Sequence, residues 1–164
     1  TAWAFATLNV RDDTLMAHLA YRATAPGFID TFKSQEISNT AWAYASLGIR
    51  DMALMAALAD RTLQDGFLSA CSAQTVTNTV WAFATLGMRN EVLMSRVAGR
   101  ILRKGFLATF TPRAVANTAW AYATVGIRNE PLMGVIAERM QQDVYELNAQ
   151  DVANTAWAFA TLSV

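Results

Sequence analysis

The sequence predicts an all-α solenoid, a stack of tandem helix–turn–helix repeats of about 38–39 residues. Three observations predict it. The five tryptophans, Trp3, Trp42, Trp81, Trp120 and Trp157, are spaced by 39, 39, 39 and 37 residues. The same nine-residue block surrounds each full copy: NTAWAYASL from Asn39, NTVWAFATL from Asn78, NTAWAYATV from Asn117 and NTAWAFATL from Asn154. Glycines and capping residues recur at fixed offsets from each Trp. A period of this length marks a helical array whose units bury their apolar faces only by stacking.

Each repeat divides into two helices. The first, helix A, carries the Trp. Ser72, Thr111 and Asn148 stand nine residues before it as N-caps, and Pro112 follows at the first helical position, where its missing N–H is harmless. Asn148 and Asp151 have the spacing of a capping box. The first full copy has Lys33 at the cap and Ser34 next to it. Helix A stops at Gly48, Gly87 and Gly126, with Asn9 and Ser163 in the outer copies. These are residues that accept a left-handed conformation. Helix A is apolar over well over half its circumference, which predicts an inner, sandwiched position.

Helix B starts at Asp12, Asp51, Asn90 and Asn129 as caps. It carries the pairs Leu15-Met16, Leu54-Met55, Leu93-Met94 and Leu132-Met133, with Leu19, Leu58, Val97 and Ile136 four residues after each Leu. That makes one apolar stripe and an outer layer. Phe28, Phe67, Phe106 and Tyr145 follow helix B and are expected to plug the joint to the next repeat. The array divides into a partial repeat 1–33, repeats 34–72, 73–111 and 112–148, and a partial repeat 149–164. Neither end carries a polar capping repeat, so a fragment of a longer array, or a chain covered by partners, is expected.

Composition narrows the function. The chain is 54% hydrophobic, and its 13 basic and 13 acidic side chains cancel. Nothing in that balance demands a nucleic acid or an anionic membrane. Cys71 is the single cysteine, so no disulfide framework or metal cluster is expected. The longest uncharged run, from Gly66, is too polar to span a membrane, and no membrane insertion is expected. His18 is the sole histidine and occurs in one copy only. Ser/His/Asp and Cys/His chemistry would have to use it, and no phosphate-binding glycine loop is present. The expectation is a binding protein, not an enzyme, with no metal and no cofactor.

The binding surface is sought on helix A. At 100° per residue, positions −7, −6, −3, +1 and +4 from the Trp share one arc of small or polar side chains. In the four copies these are Gln35, Glu36, Asn39, Ala43 and Ser46; Gln74, Thr75, Asn78, Ala82 and Thr85; Arg113, Ala114, Asn117, Ala121 and Thr124; and Gln150, Asp151, Asn154, Ala158 and Thr161. The −6 position differs in every copy, as one reading slot per repeat would, or as a solvated position free to drift. The Asn ladder has two readings as well. It can satisfy backbone groups between repeats, or hold a base edge or a peptide backbone. The Trp rings suit core packing, and also stacking on bases. Arg50, Arg89 and Arg128, with Arg11, follow the Gly turn and are candidates for a phosphate ladder. Arg22, Arg61, Arg100 and Arg139 lie late in helix B and are expected to lean over the neighbouring repeat.

The stretch Gln150 to Leu162, QDVANTAWAFATL, resembles the octotricopeptide repeat motif and the related repeats that accompany RAP domains in algal and apicomplexan organelle proteins. The likeness extends over all 164 residues, though no RAP domain is present. It implies an RNA-binding α-solenoid of a chloroplast or mitochondrion, acting in RNA maturation, stability or translation. It also implies single-stranded RNA as the partner, with contacts near Gln35, Glu36, Gln74, Thr75, Arg113, Gln150 and Asp151. The alternative is a protein-binding scaffold or a structural subunit of a large complex, since Trp and Asn on a concave helix also suit an extended peptide.

Overall fold

A computed structural model describes residues 1–164. It contains nine α-helices and no strands: α1 (Ala2–Thr7), α2 (Asp13–Ala23), α3 (Ser34–Ser46), α4 (Met52–Leu63), α5 (Ala73–Thr85), α6 (Glu91–Ile101), α7 (Pro112–Thr124), α8 (Glu130–Gln142) and α9 (Ala149–Leu162). The odd-numbered helices are the A helices and the even-numbered ones the B helices. A short 3₁₀ turn follows each B helix.

The helix ends are fixed by the residues that the sequence singles out. Asp12, Asp51, Asn90 and Asn129 each accept a hydrogen bond from the backbone N–H three residues on, at 2.9, 2.9, 2.9 and 3.0 Å. The A helices end in left-handed residues: Gly48, Gly87 and Gly126, with Asn9 and Ser163 adopting the same conformation at φ near 50°. The following N–H reaches back five residues, as Met88 does to the Phe83 carbonyl at 2.8 Å. This closes the carbonyls that the last turn leaves open.

Successive A helices pack tightly against one another, whereas neighbouring B helices touch little, both directly and through the 3₁₀ turns. The cause lies at position −1, where Ala41, Val80 and Ala119 are fully buried and keep the helix axes close. Tight spacing in one layer and wide spacing in the other bends the stack, with the A helices inside. Leu54, Met55 and Leu58, and their counterparts in α6 and α8, form the buried stripe of the B layer.

The late-helix arginines stitch the outer layer. Arg61 donates to the Phe32 carbonyl of the preceding repeat at 3.3 Å, and Arg139 to those of Leu107 and Phe110 at 3.2 and 3.3 Å. Arg22, Arg61 and Arg100 also stack on Phe28, Phe67 and Phe106. Tyr145 breaks this pattern. It is 99% exposed and plugs nothing. The last repeat is two residues shorter and lacks the left-handed glycine that precedes the aromatic elsewhere (Gly27, Gly66, Gly105). Arg139 pairs instead with Asp143 at 2.6 Å. No helix is long and apolar enough to cross a membrane.

Candidate nucleic-acid interface

The inner face of the A layer exposes a narrow stripe. In α5 only Gln74, Asn78, Trp81 and Thr85 are not buried, at −7, −3, 0 and +4 from the Trp. The same four positions are open in α3 (Gln35, Asn39, Trp42, Ser46) and in α7 (Arg113, Asn117, Trp120, Thr124). Their spacing of four, three and four residues keeps them on one helical face. The stripe covers about 60° of the wheel at 100° per residue and contains the Trp.

That arc is narrower than the sequence suggests and turned toward the Trp. The +1 alanines, Ala43, Ala82, Ala121 and Ala158, are fully buried in the packed A layer. They are packing residues, not part of the surface. The −6 side chains are also elsewhere. Glu36 accepts the backbone N–H of Lys33 at 2.8 Å, and Asp151, only 3% exposed, accepts that of Asn148 at 3.2 Å. Thr75 is buried and bonds to the Ser72 hydroxyl at 3.1 Å. Position −6 is the third residue of helix A, where side chains fold back to cap the helix start. Glu36, Thr75 and Asp151 therefore serve their own helix starts and form no reading slot, while Ala114 has no polar group to offer.

The asparagines Asn39, Asn78, Asn117 and Asn154 are half-buried along the stripe. One pair touches: Asn154 donates its amide to the Asn117 side-chain carbonyl at 3.4 Å. The amides of Asn39 and Asn78 bond to nothing else in the chain, so no continuous ladder forms and these groups remain open to a ligand. Trp42, Trp81 and Trp120 are half-buried and pack against the core, while Trp3 and Trp157 are about half exposed (52% and 46%). Both readings of the Trp therefore stay open, because each residue packs in part and is exposed in part.

The turn arginines are less available than a phosphate ladder needs. Arg89 pairs with Glu91 at 2.7 Å and Arg128 with Glu130 at 2.8 Å, as Arg11 does with Asp13 at 2.7 Å. The partner stands two residues on, at the first helical position, and not at the cap. Met52 occupies that place after Arg50, so Arg50 alone of the four makes no such pair. Gln35, Gln74, Arg113 and Gln150 are all exposed at the opposite, N-terminal end of the stripe.

Sequence reasoning missed the cleft between the N-terminal ends of α5 and α7. Its volume is about 870 Å³, and Gln74, Asn78, Arg100 and Arg113 line it. Arg100 was hidden because its repeat position matches arginines that serve the joint. The charge distribution that favours this cleft was legible but concealed by summing over the chain. Residues 73–111 hold five basic side chains and one acidic one, against two and four in residues 34–72.

A family model described as RNA-editing substrate-binding complex 6 protein matches residues 2–164. No curated protein matches the chain.

Proposed function

Because the chain belongs to the RNA-editing substrate-binding complex 6 protein family, we propose that it is an RNA-processing subunit whose A-layer groove holds single-stranded RNA. The match supports a helical family in RNA processing, and not the octotricopeptide repeat in particular. It favours the mitochondrion over the chloroplast as the compartment.

The observation that carries this reading is the repeated open stripe. Each repeat offers a partly exposed indole flanked by an amide and a hydroxyl, as in Asn78, Trp81 and Thr85. An indole face stacks on any base, and an amide bonds to a base edge or ribose. Adjacent A helices repeat that set at the interval of packed helices, about 8–10 Å. The contact set is therefore Gln35, Asn39, Trp42, Gln74, Asn78, Trp81, Arg113, Asn117 and Trp120, with Gln150 and Asn154 continuing it. Arg50 adds a free cation at the far rim. The protein acts by binding, not by catalysis; its one histidine, His18, sits on the outer layer and bonds to the Thr14 carbonyl.

A protein-binding role is the second reading. It is favoured by the scarcity of unpaired cations in most of the groove, since an extended peptide needs amides and apolar surface more than positive charge.

Titration of the chain with single-stranded RNA while Trp emission is followed separates the two. Stacking quenches the indoles, and the quench is expected to shrink when Trp42, Trp81 and Trp120 are replaced by Phe, leaving only Trp3 and Trp157 to report. RNA that binds without quenching, or does not bind, removes the groove as its site.

A further inference from the structure

The third repeat concentrates the positive charge of a neutral chain. Arg89 is paired with Glu91, which leaves Arg96, Arg100, Arg103 and Lys104 as the excess. Arg113 opens the next repeat at the −7 position, where the other copies have Gln. Arg100 and Arg113 line the same cleft between the starts of α5 and α7, and no carboxylate lines it.

Arg100 is also bonded differently from its counterparts. Arg61 directs its Nε to the Phe32 carbonyl, and Arg139 directs its Nε to Asp143. Arg100 gives one terminal nitrogen to the Ser69 carbonyl, at 3.1 Å, and its Nε is buried without a partner. Thr77, only 4% exposed and lining the same cleft, likewise has a hydroxyl with no partner. Buried polar groups are rarely left unpaired, and two around one cleft mark a place for a polar ligand. The positive end of the α7 dipole faces the same region from Thr111 and Arg113. On the other side of Arg100, Arg96 and Arg103 line an outer cleft in which Asp65 is the one acid.

We propose that the cleft between α5 and α7 is a phosphate site, in which Arg113 and Arg100 hold one phosphodiester of single-stranded RNA at the N-terminal end of the groove. This rests on the groove reading above and adds to it a fixed register point: a phosphate anchored at one joint, and bases laid along Asn78 and Trp81. The other joints lack it, because Gln35, Gln74 and Gln150 stand where Arg113 does.

The test is the salt dependence of binding of a fluorescein-labelled single-stranded RNA to the full chain. Each phosphate contact on a single strand contributes a slope of about −0.7 in log affinity against log salt. Arg113→Gln is expected to make the slope shallower by about 0.7, and Arg113→Lys to retain it. Arg128→Gln, at the opposite rim and paired with Glu130, is expected to leave the slope unchanged. A wild-type slope in Arg113→Gln overturns the site while leaving RNA binding intact. If the unaltered chain binds no RNA, the groove reading and the site fail together. Arg113 is exposed, so its replacement leaves packing intact and circular dichroism serves as the check.

Discussion

The hydroxyl of Tyr122 donates to the backbone carbonyl of Met94 at 2.6 Å, which ties an A helix to the B helix of the preceding repeat. Tyr44 and Met16 make the same bond at the same length, 28 residues apart in both cases. The aromatic at this position alternates, and Phe83 between them has no hydroxyl to donate. Both tyrosines are fully buried, so the bond supplies the partner their burial demands.

Replacing Tyr122 by Phe removes that bond without opening a cavity. The expected loss is about 1 kcal/mol, the net value of a neutral hydrogen bond. Urea unfolding of the variant checks it. A loss below the error of the measurement would show that the bond only accommodates the hydroxyl.

Alkali should unfold the protein over a defined window. Burial, with the Asp51 charge adding to it, pushes Tyr44 up to about 12 from 10.0, and burial raises Tyr122 further. Burial also moves Cys71 to about 11 from 9.0, against the opposing pull of Arg100. All three hold their protons longer folded than unfolded. Their contribution is complete below the unfolded values and is lost as pH climbs through the folded ones. Stability measured from pH 8 upward is expected to fall between about 9 and 12, and the fall should be smaller in a Tyr44→Phe, Tyr122→Phe double variant.

Asn90 caps α6 through the Leu93 N–H at 2.9 Å. Asn90→Ala should cost about 1 kcal/mol, and Asn90→Asp should retain the cap. Thermal unfolding of the two variants side by side tests the assignment. Equal melting temperatures would contradict it.

At Gly87 the backbone is left-handed, with φ of 63°, and an added Cβ would meet nothing within 4 Å. The cost of Gly87→Ala is therefore conformational only, about 1–2 kcal/mol. Gly87→Asn should cost less, because Asn9 already adopts this conformation at the matching position of the first copy. Denaturant midpoints rank the three proteins as Gly, Asn, Ala.

The parts of the fold that depend on local chemistry were legible. Asp12, Asp51, Asn90 and Asn129 cap helices because an oxygen at that place has a free N–H to accept from, whatever the tertiary setting. Gly48 and Gly87 end helices for an equally local reason. The groove was legible only in outline. A helical wheel gives angles but not the direction of the neighbour, so it left Ala43 and Ala82 on the surface that the adjacent A helix covers. Nor could it show that Glu36 bends back to its own helix start; for Asp151 the capping-box spacing from Asn148 gave that signal, and the wheel ignored it. Arg89 and Arg128 looked free because the residues next to them, Asn90 and Asn129, carry no charge, whereas the carboxylates that pair with them, Glu91 and Glu130, stand one residue further on. The Arg100 cleft depends on a joint between repeats, and no single repeat contains it.

The proposed function places RNA on the inner face of the A layer. Ultraviolet crosslinking of the native full-length protein in its complex, followed by mapping of the crosslinked peptides, tests it most directly. Nucleotide adducts are expected on the segments that carry Asn39 to Trp42, Asn78 to Trp81 and Asn117 to Trp120. Adducts confined to α2, α4, α6 and α8, or crosslinks to protein alone across those three segments, would contradict it.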